Sequence, residues 1–346
     1  MRTAASQPPE ARGLARDGIR LLVATPDGLR HAAFADLPRF LTAGDLLVVN
    51  TSATIPAAVD GRRADGRPVT VDFSTELDDG CWLAELRESS KDHARVLDGI
   101  AGETIALPGS LSVSLLYRYP EPDSDRLWAT TVNAPPEVKG DLRGALVANG
   151  RPIRYSYVPD PWPLEAYQTV FSADPGSAEM PSAGRPFTGN LVARLIAGGV
   201  LFAPITLHAG VASLETHEPP LPERYRVPEL TARLVNLTKE SGHRVIAVGT
   251  TCTRAIESAA DARGRLSAED GWTDLVLGHD RPARVVNGLV TGWHDPEASH
   301  LALLQAVAGT TLVRAAYAEA DRTGYLGHEF GDSCLLLPPL SRRSLD

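Results

Sequence analysis

The densest concentration of side chains able to do chemistry is the run VGTTCTRAIESAA, residues 248–260, where a strand-like segment turns at Gly249, Thr250 and Thr251 into a helix. A helix start carries unpaired backbone N–H groups and the positive end of the peptide dipole. Thr250 and Thr251 therefore suit a carboxylate or phosphate, and Arg254 can add a two-pronged clamp. Glu257 lies three residues on and shares the Arg254 face. A threonine-capped helix with one surface ion pair is the plainer description of the same residues.

His208 closes the run PITLH ahead of Ala209 and Gly210, at the end of a strand where open α/β sheets usually bind ligands. Its imidazole suits a general base or a structural hydrogen-bonding role. His294, in GWHDP ahead of a helix, has the same two readings. The segment GYLGHEFGDSC brings Tyr325, His328, Glu329 and Asp332 into one polar loop, able to hold a cation or simply to face water. Asn50 opens the polar turn Asn50-Thr51-Ser52 after the run GDLLVVN, and loops at strand ends are where sites are usually built. Arg62, Arg63 and Arg67, with Arg151 and Arg154, bracket the middle of the chain and predict either a positive patch or scattered solvated side chains.

Other chemistries are excluded by inspection. No GxGxxG follows a strand, and neither a GxxxxGK[ST] loop nor a GxSxG elbow is present. The three cysteines, Cys81, Cys252 and Cys334, are far apart and form no CxxC, and the nine histidines form no HExxH, so no metal is expected. With 34 Lys and Arg against 43 Asp and Glu, the net charge of −9 offers no global attraction to nucleic acid or anionic lipid. No apolar run reaches the ~18 residues of a membrane helix, and the first residues lack the apolar centre of a signal peptide, so the expected location is the cytoplasm, with no membrane partner.

At 346 residues with 43% hydrophobic and 22% charged residues, the chain predicts two domains. GDLLVVN, VLFAPITLH, RVIAVGT, TDLVLG and ARVVNGLVTGW read as strands. They alternate with helices opened by Thr188 and Pro228 and with HLALLQAVAG and TLVRAAYAEADRTG. Between about residues 66 and 135 the pattern shifts to short runs such as Val69, Val71, Phe73 and CWLAELRE, separated by glycine turns, as in a small antiparallel barrel or a sandwich. The expected architecture is an α/β main domain, 1–60 and 150–346, with a mixed, open-barrel-like sheet and a small antiparallel β-barrel inserted at 61–149.

In GDLLVVN…IPA, YQTVF…PG…AG…FT, TLHAG, YRVPE, RVIAVGTTCTRAIESAA, GWTDL, VVNGLVTGWHDP and GY…GD, the chain resembles the S-adenosylmethionine:tRNA ribosyltransferase-isomerase family of queuosine biosynthesis, over most of its length. The resemblance implies a main α/β domain with an inserted barrel. It also implies transfer and isomerisation of the ribosyl part of S-adenosylmethionine onto the aminomethyl group of a 7-deazaguanine at the tRNA wobble position, giving epoxyqueuosine, adenine and methionine without a metal. Such chemistry needs a base beside the sulfonium, donors for the leaving adenine, anchors for methionine and a pocket for the flipped base. The catalytic candidates are then His208 or His294 as base and Glu257 or Asp332 as partners of the ammonium or sulfonium. Thr250, Thr251, Arg254 and Asn50 are the cofactor-binding candidates, and Arg185, Thr188 and Arg62 the substrate-binding ones.

The chain departs from the family pattern in its loops. NNTRVIPAR becomes NTSATIPAA, with Ala53 and Ala58 at arginine positions, and PTAGLHF becomes PSAGRPF, with Arg185 and Pro186 for leucine and histidine. EHxMHxE is shortened to ETHEPPLPERY, keeping His217 and Glu223, while FHLPxSTLL reads WHDPEASHL and YRFFSYGDA reads YLGHEFGDS. Kept strands with altered loops leave two further readings open. One is a paralogue that uses S-adenosylmethionine on a small-molecule amine or nucleobase, and the other a non-catalytic paralogue that binds ligand or RNA.

Overall fold

Strands that are apolar at nearly every position must be covered on both faces, and Leu46–Asn50 and Val245–Val248 are of this kind. The computed structural model, which describes residues 3–90, 93–134, 142–211, 221–294 and 300–340, places them side by side in a nine-stranded mixed sheet. From edge to edge the sheet runs Glu269–Thr273, Glu223–Val227, Leu201–Leu207, Leu46–Asn50, Val245–Val248, Gly288–Gly292, Ser333–Leu336, Arg20–Thr25 and Gly28–Ala33. The four strands from Leu201–Leu207 to Gly288–Gly292 are parallel.

Period-two alternation divides this sheet between two cores. Leu46, Val48, Val245 and Ala247 pack with residues of the helices Glu229–Glu240, Thr250–Ser258, His300–Ala308 and Thr310–Arg322. Leu47, Val49, Ile246 and Val248 pack on the other face with Leu191 and Leu195 of Gly189–Ala197. Thr188 caps that last helix, its hydroxyl accepting from the Leu191 N–H at 3.2 Å. Pro228 precedes Glu229–Glu240 as its sequence predicts.

After Leu46–Asn50 the chain leaves the sheet and closes a six-stranded antiparallel barrel, ordered Leu127–Asn133, Trp82–Arg87, Pro68–Glu76, Ala58–Arg62, Thr104–Ala106 and Ser112–Tyr119. Val69, Val71 and Phe73 all enter its core, against Trp82, Leu86 and Leu115. The α/β body with an inserted small barrel is thus the observed architecture, and the barrel rather than the sandwich is correct. Among the described residues, no helix is long and apolar enough to cross a membrane.

Two elements differ from expectation. TDLVLG is not a strand: pairing ends at Thr273, and Leu275, Val276 and Leu277 turn away to line a cleft. Arg20–Thr25 and Gly28–Ala33 form an edge hairpin whose signal, an Asp-Gly turn after RLLVAT, is present in the sequence.

Candidate active site

Parallel strands deliver their carboxyl ends to one side of the sheet, and the turns there carry Ala209 and Gly210, Gly249 to Thr251, and Gly292 to His294. All three turns border a cleft of about 360 Å³, faced across by Thr75 of the barrel and by Ile153, Tyr155 and Tyr157. That volume lies within the range of roughly 300–1,000 Å³ usual for small-molecule sites.

The helix Thr250–Ser258 begins at the cleft wall. Gly249 stands before it at φ 97°, a conformation that favours glycine, and no side chain caps the first turn. The uncapped N–H groups and dipole of that turn have the chemistry to receive an anion. Thr251 is steadied from below by the Asn50 amide, which donates to its hydroxyl at 3.4 Å.

Arg254 also lines the cleft but is fully engaged. Its guanidinium pairs with Glu223 and donates to the carbonyls of Leu275 at 3.1 Å and Thr273 at 3.0 Å. Burial raises the Glu223 carboxyl above the ordinary range, opposed by Arg254 and by the Gly210 N–H. Arg254 therefore acts on the cleft through Glu223 and the 273–275 backbone.

His294 and His300 lie in the cleft as a near-parallel pair, ring centroids 4.4 Å apart and planes 6° apart. Burial, and secondarily the Arg254 charge, lower the His300 imidazole below its usual value, so it is neutral at pH 7. Facing residues add a ring ladder: Tyr155 stacks on Tyr157 at 5.7 Å, and Tyr157 on His328 at 4.0 Å. The Tyr157 hydroxyl donates to Glu329 at 2.7 Å, and the Tyr155 hydroxyl donates to Glu179.

Of the residues singled out in the sequence, Thr250, Thr251, Arg254, His294, Glu223, His328 and Glu329 line this cleft, while His208, Glu257, Asp332, Asn50, Arg185, Thr188, Arg62 and Tyr325 do not. His208 sits beside it with Nδ1 2.7 Å from the Ser52 hydroxyl, itself 2.6 Å from that of Ser177. Glu257 turns away from Arg254, and its carboxylate accepts the backbone N–H groups of Arg284, Val285 and Val286 at 2.8, 2.8 and 2.9 Å. Shared helical phase did not give a shared partner, because each side chain found a different loop. Asp332 is likewise structural, accepting from the N–H groups of Arg20 and Leu326 at 3.0 and 2.9 Å. Asn50 spends its amide on Leu207 and Ser52 before it reaches Thr251.

Arg185 is buried, held by Glu10 and the Ala166 carbonyl, and Thr188 is consumed by its cap and by Asp17. Arg62 lies on the barrel and donates to the Gly66 carbonyl at 3.3 Å. Of the two readings for these arginines, a positive patch is not what forms, since Arg63 pairs with Asp98 and Glu103, Arg67 with Asp65 and Asp98, and Arg151 with Asp60. His217 lies outside the described residues.

Sequence reasoning missed His300, Tyr155 and Tyr157. RYSY carries no regular period that marks the two tyrosines, because their rings stack across a turn closed by the Val158 N–H on the Tyr155 carbonyl. His300 carries no pattern of its own and is recognisable only beside His294.

The family model described as queuosine biosynthesis protein matches residues 1–336 of the chain. An S-adenosylmethionine:tRNA ribosyltransferase-isomerase from Acidiphilium cryptum is 35% identical over 335 residues, covering 93% of each chain. The enzyme of that name from Moorella thermoacetica is 33% identical over 365 residues, covering 96% of each. The crystal structure of the S-adenosylmethionine tRNA ribosyltransferase from Thermotoga maritima superposes with a TM-score of 0.51 at 28% identity, over 96% of both chains.

Proposed function

The chain belongs to the queuosine biosynthesis protein family, and from that premise we propose that it is an S-adenosylmethionine:tRNA ribosyltransferase-isomerase working in this cleft, in the cytoplasm. It transfers and isomerises the ribosyl part of S-adenosylmethionine onto the aminomethyl group of a 7-deazaguanine in tRNA, giving epoxyqueuosine, adenine and methionine. One observation carries the assignment of the site: the paired imidazoles of His294 and His300 share a single cleft with an uncapped helix start.

Each part has a task. The first-turn N–H groups at Thr250 and Thr251 hold the methionine carboxylate. The proton beside the sulfonium goes to an imidazole, with His294 as the base and neutral His300 stacked on it. Glu223 presents negative charge toward the sulfonium or ammonium, and Arg254 fixes its place. His208, Glu257 and Asp332 then serve the fold around the site.

A second reading, transfer to a small-molecule amine or free nucleobase, draws on the pairing of Arg63, Arg67 and Arg151 with carboxylates, which leaves these three charges neutralised rather than open to phosphates. The two are separated by adenine release measured with acceptor tRNA and with the free base across a salt series. Release that requires tRNA and falls steeply with salt supports the first, and equal release with the free base at every salt concentration refutes it.

A further inference from the structure

Tyr155 and Tyr157 lie two residues apart in a turn closed by the Val158 N–H donating to the Tyr155 carbonyl at 2.9 Å, and both hydroxyls are tied to carboxylates, Tyr155 to Glu179 and Tyr157 to Glu329. Their rings are thereby fixed in stacked planes 21° apart. His328 continues the stack from a different part of the chain, 25° from the plane of Tyr157. It is held there by an unusual backbone: φ is 66°, its N–H donates to the Trp293 carbonyl at 3.1 Å, and its carbonyl accepts from Gly331 at 3.0 Å. A side chain at Gly331 would come within 2.5 Å of the Leu326 and Gly327 carbonyls, so the loop closes only with glycine there. Strained backbone that aims a ring into a cleft calls for a ligand on that ring.

We infer that the Tyr155, Tyr157 and His328 ladder is the platform on which the acceptor base stacks, and that the Glu329 carboxylate takes the hydrogens on N1 and the 2-amino group of its guanine edge. This rests on the tRNA reaction proposed above. Glu329 lines the cleft with its carboxylate against the Tyr157 hydroxyl, and that hydroxyl together with the backbone N–H of Glu329 itself leaves about two of the four or so lone-pair sites of the carboxylate. An ionised carboxylate offers only acceptors. A guanine-type edge presents two adjacent donors to it, whereas an adenine edge presents a donor beside an acceptor, which the carboxylate repels. The aminomethyl group at C7 is on the opposite side of such a base, left for the remainder of the cleft. The platform thus selects the acceptor base over the adenine of the cosubstrate.

The test is calorimetric binding of free 7-aminomethyl-7-deazaguanine and of its counterpart lacking the 2-amino group, which needs no variant for its first result. The wild-type protein is expected to prefer the amino base by about ten- to a hundred-fold, the worth of a charge-assisted hydrogen bond. Glu329→Gln should reduce that preference below about threefold. His328→Ala should weaken both bases about tenfold and leave the preference intact, with His328→Phe restoring affinity through its ring. Equal binding of the two bases by the wild type, no binding of either, or an undiminished preference in Glu329→Gln overturns the inference. Adenine release on tRNA, measured on the same preparation, keeps the two claims apart: turnover without base selectivity refutes the platform alone, and base selectivity without turnover refutes the transferase reading alone.

Discussion

Glu257 sits in the most family-specific segment of the chain and has the look of a catalytic acid, yet the structure makes it a splint for the 284–286 backbone. Its side chain is buried, and three backbone N–H groups converge on it within 2.9 Å, with Arg281 3.6 Å away. Glu257→Ala would strand those three donors. At about 1–3 kcal/mol for each buried donor left unpaired, less what local relaxation recovers, the loss is roughly 3–6 kcal/mol, a large part of the ~5–15 kcal/mol that holds a domain together. The expected result is a denaturation midpoint far below that of the wild type, with the turnover number of the surviving folded fraction within about tenfold of normal. Glu257→Gln, whose amide oxygen still accepts, should fall between the two. A Glu257→Ala protein with unchanged denaturation but no turnover would refute this reasoning and return Glu257 to the chemistry.

Arg254→Ala leaves Glu223 buried beside no cation and should cost about 3–5 kcal/mol in chemical denaturation. Adding Glu223→Ala should recover part of that loss, and strictly additive losses would deny the pairing. His208→Ala should retain turnover within about tenfold, because Nδ1 is held by Ser52 outside the cleft; a loss of ten-thousand-fold would identify it as the base. In the barrel, burial first and then Glu85 push the Asp72 carboxyl up to about 7, with Arg87 and Arg151 opposing and Asp60 adding to the rise. The folded protein therefore binds this proton more tightly than the unfolded chain, and stability falls as pH rises from about 4 to 7. Moving the group from an ordinary 3.8 to about 7 is worth at most about 4 kcal/mol. Asp72→Asn should be more stable than the wild type at pH 8 and lack that slope when denaturation is repeated at pH 5; an unchanged slope would place its origin elsewhere.

The α/β body was legible because the unbroken apolar runs of Leu46–Asn50 and Val245–Val248 have only one physical use, burial on both faces, and because Thr188 and Pro228 mark helix starts by mechanism. The barrel was legible in Val69, Val71 and Phe73. In the site, the glycine turn before Thr250 and Thr251 was readable, since a strand running into a helix start is local. Partners distant in sequence were not. Helical phase put Glu257 and Arg254 on one face and was silent on loops 284–286 and 273–275, which draw them apart. The histidine pair needs the main sheet to have folded, and the Tyr157 to His328 stack joins residues far apart along the chain. Leu275 to Leu277 carry a strand-like composition but face the cleft, so their apolar character serves the site rather than the sheet.

The proposed activity requires that the ribosyl group reach tRNA. The most direct measurement incubates the purified protein with S-adenosylmethionine carrying isotope in its ribose and with tRNA bearing the aminomethyl deazaguanine at the wobble position, followed by nucleoside mass spectrometry. Labelled epoxyqueuosine in the tRNA, with adenine and methionine released in equal amount, is the predicted result. Unmodified tRNA with intact S-adenosylmethionine, under conditions in which both bind, would contradict it.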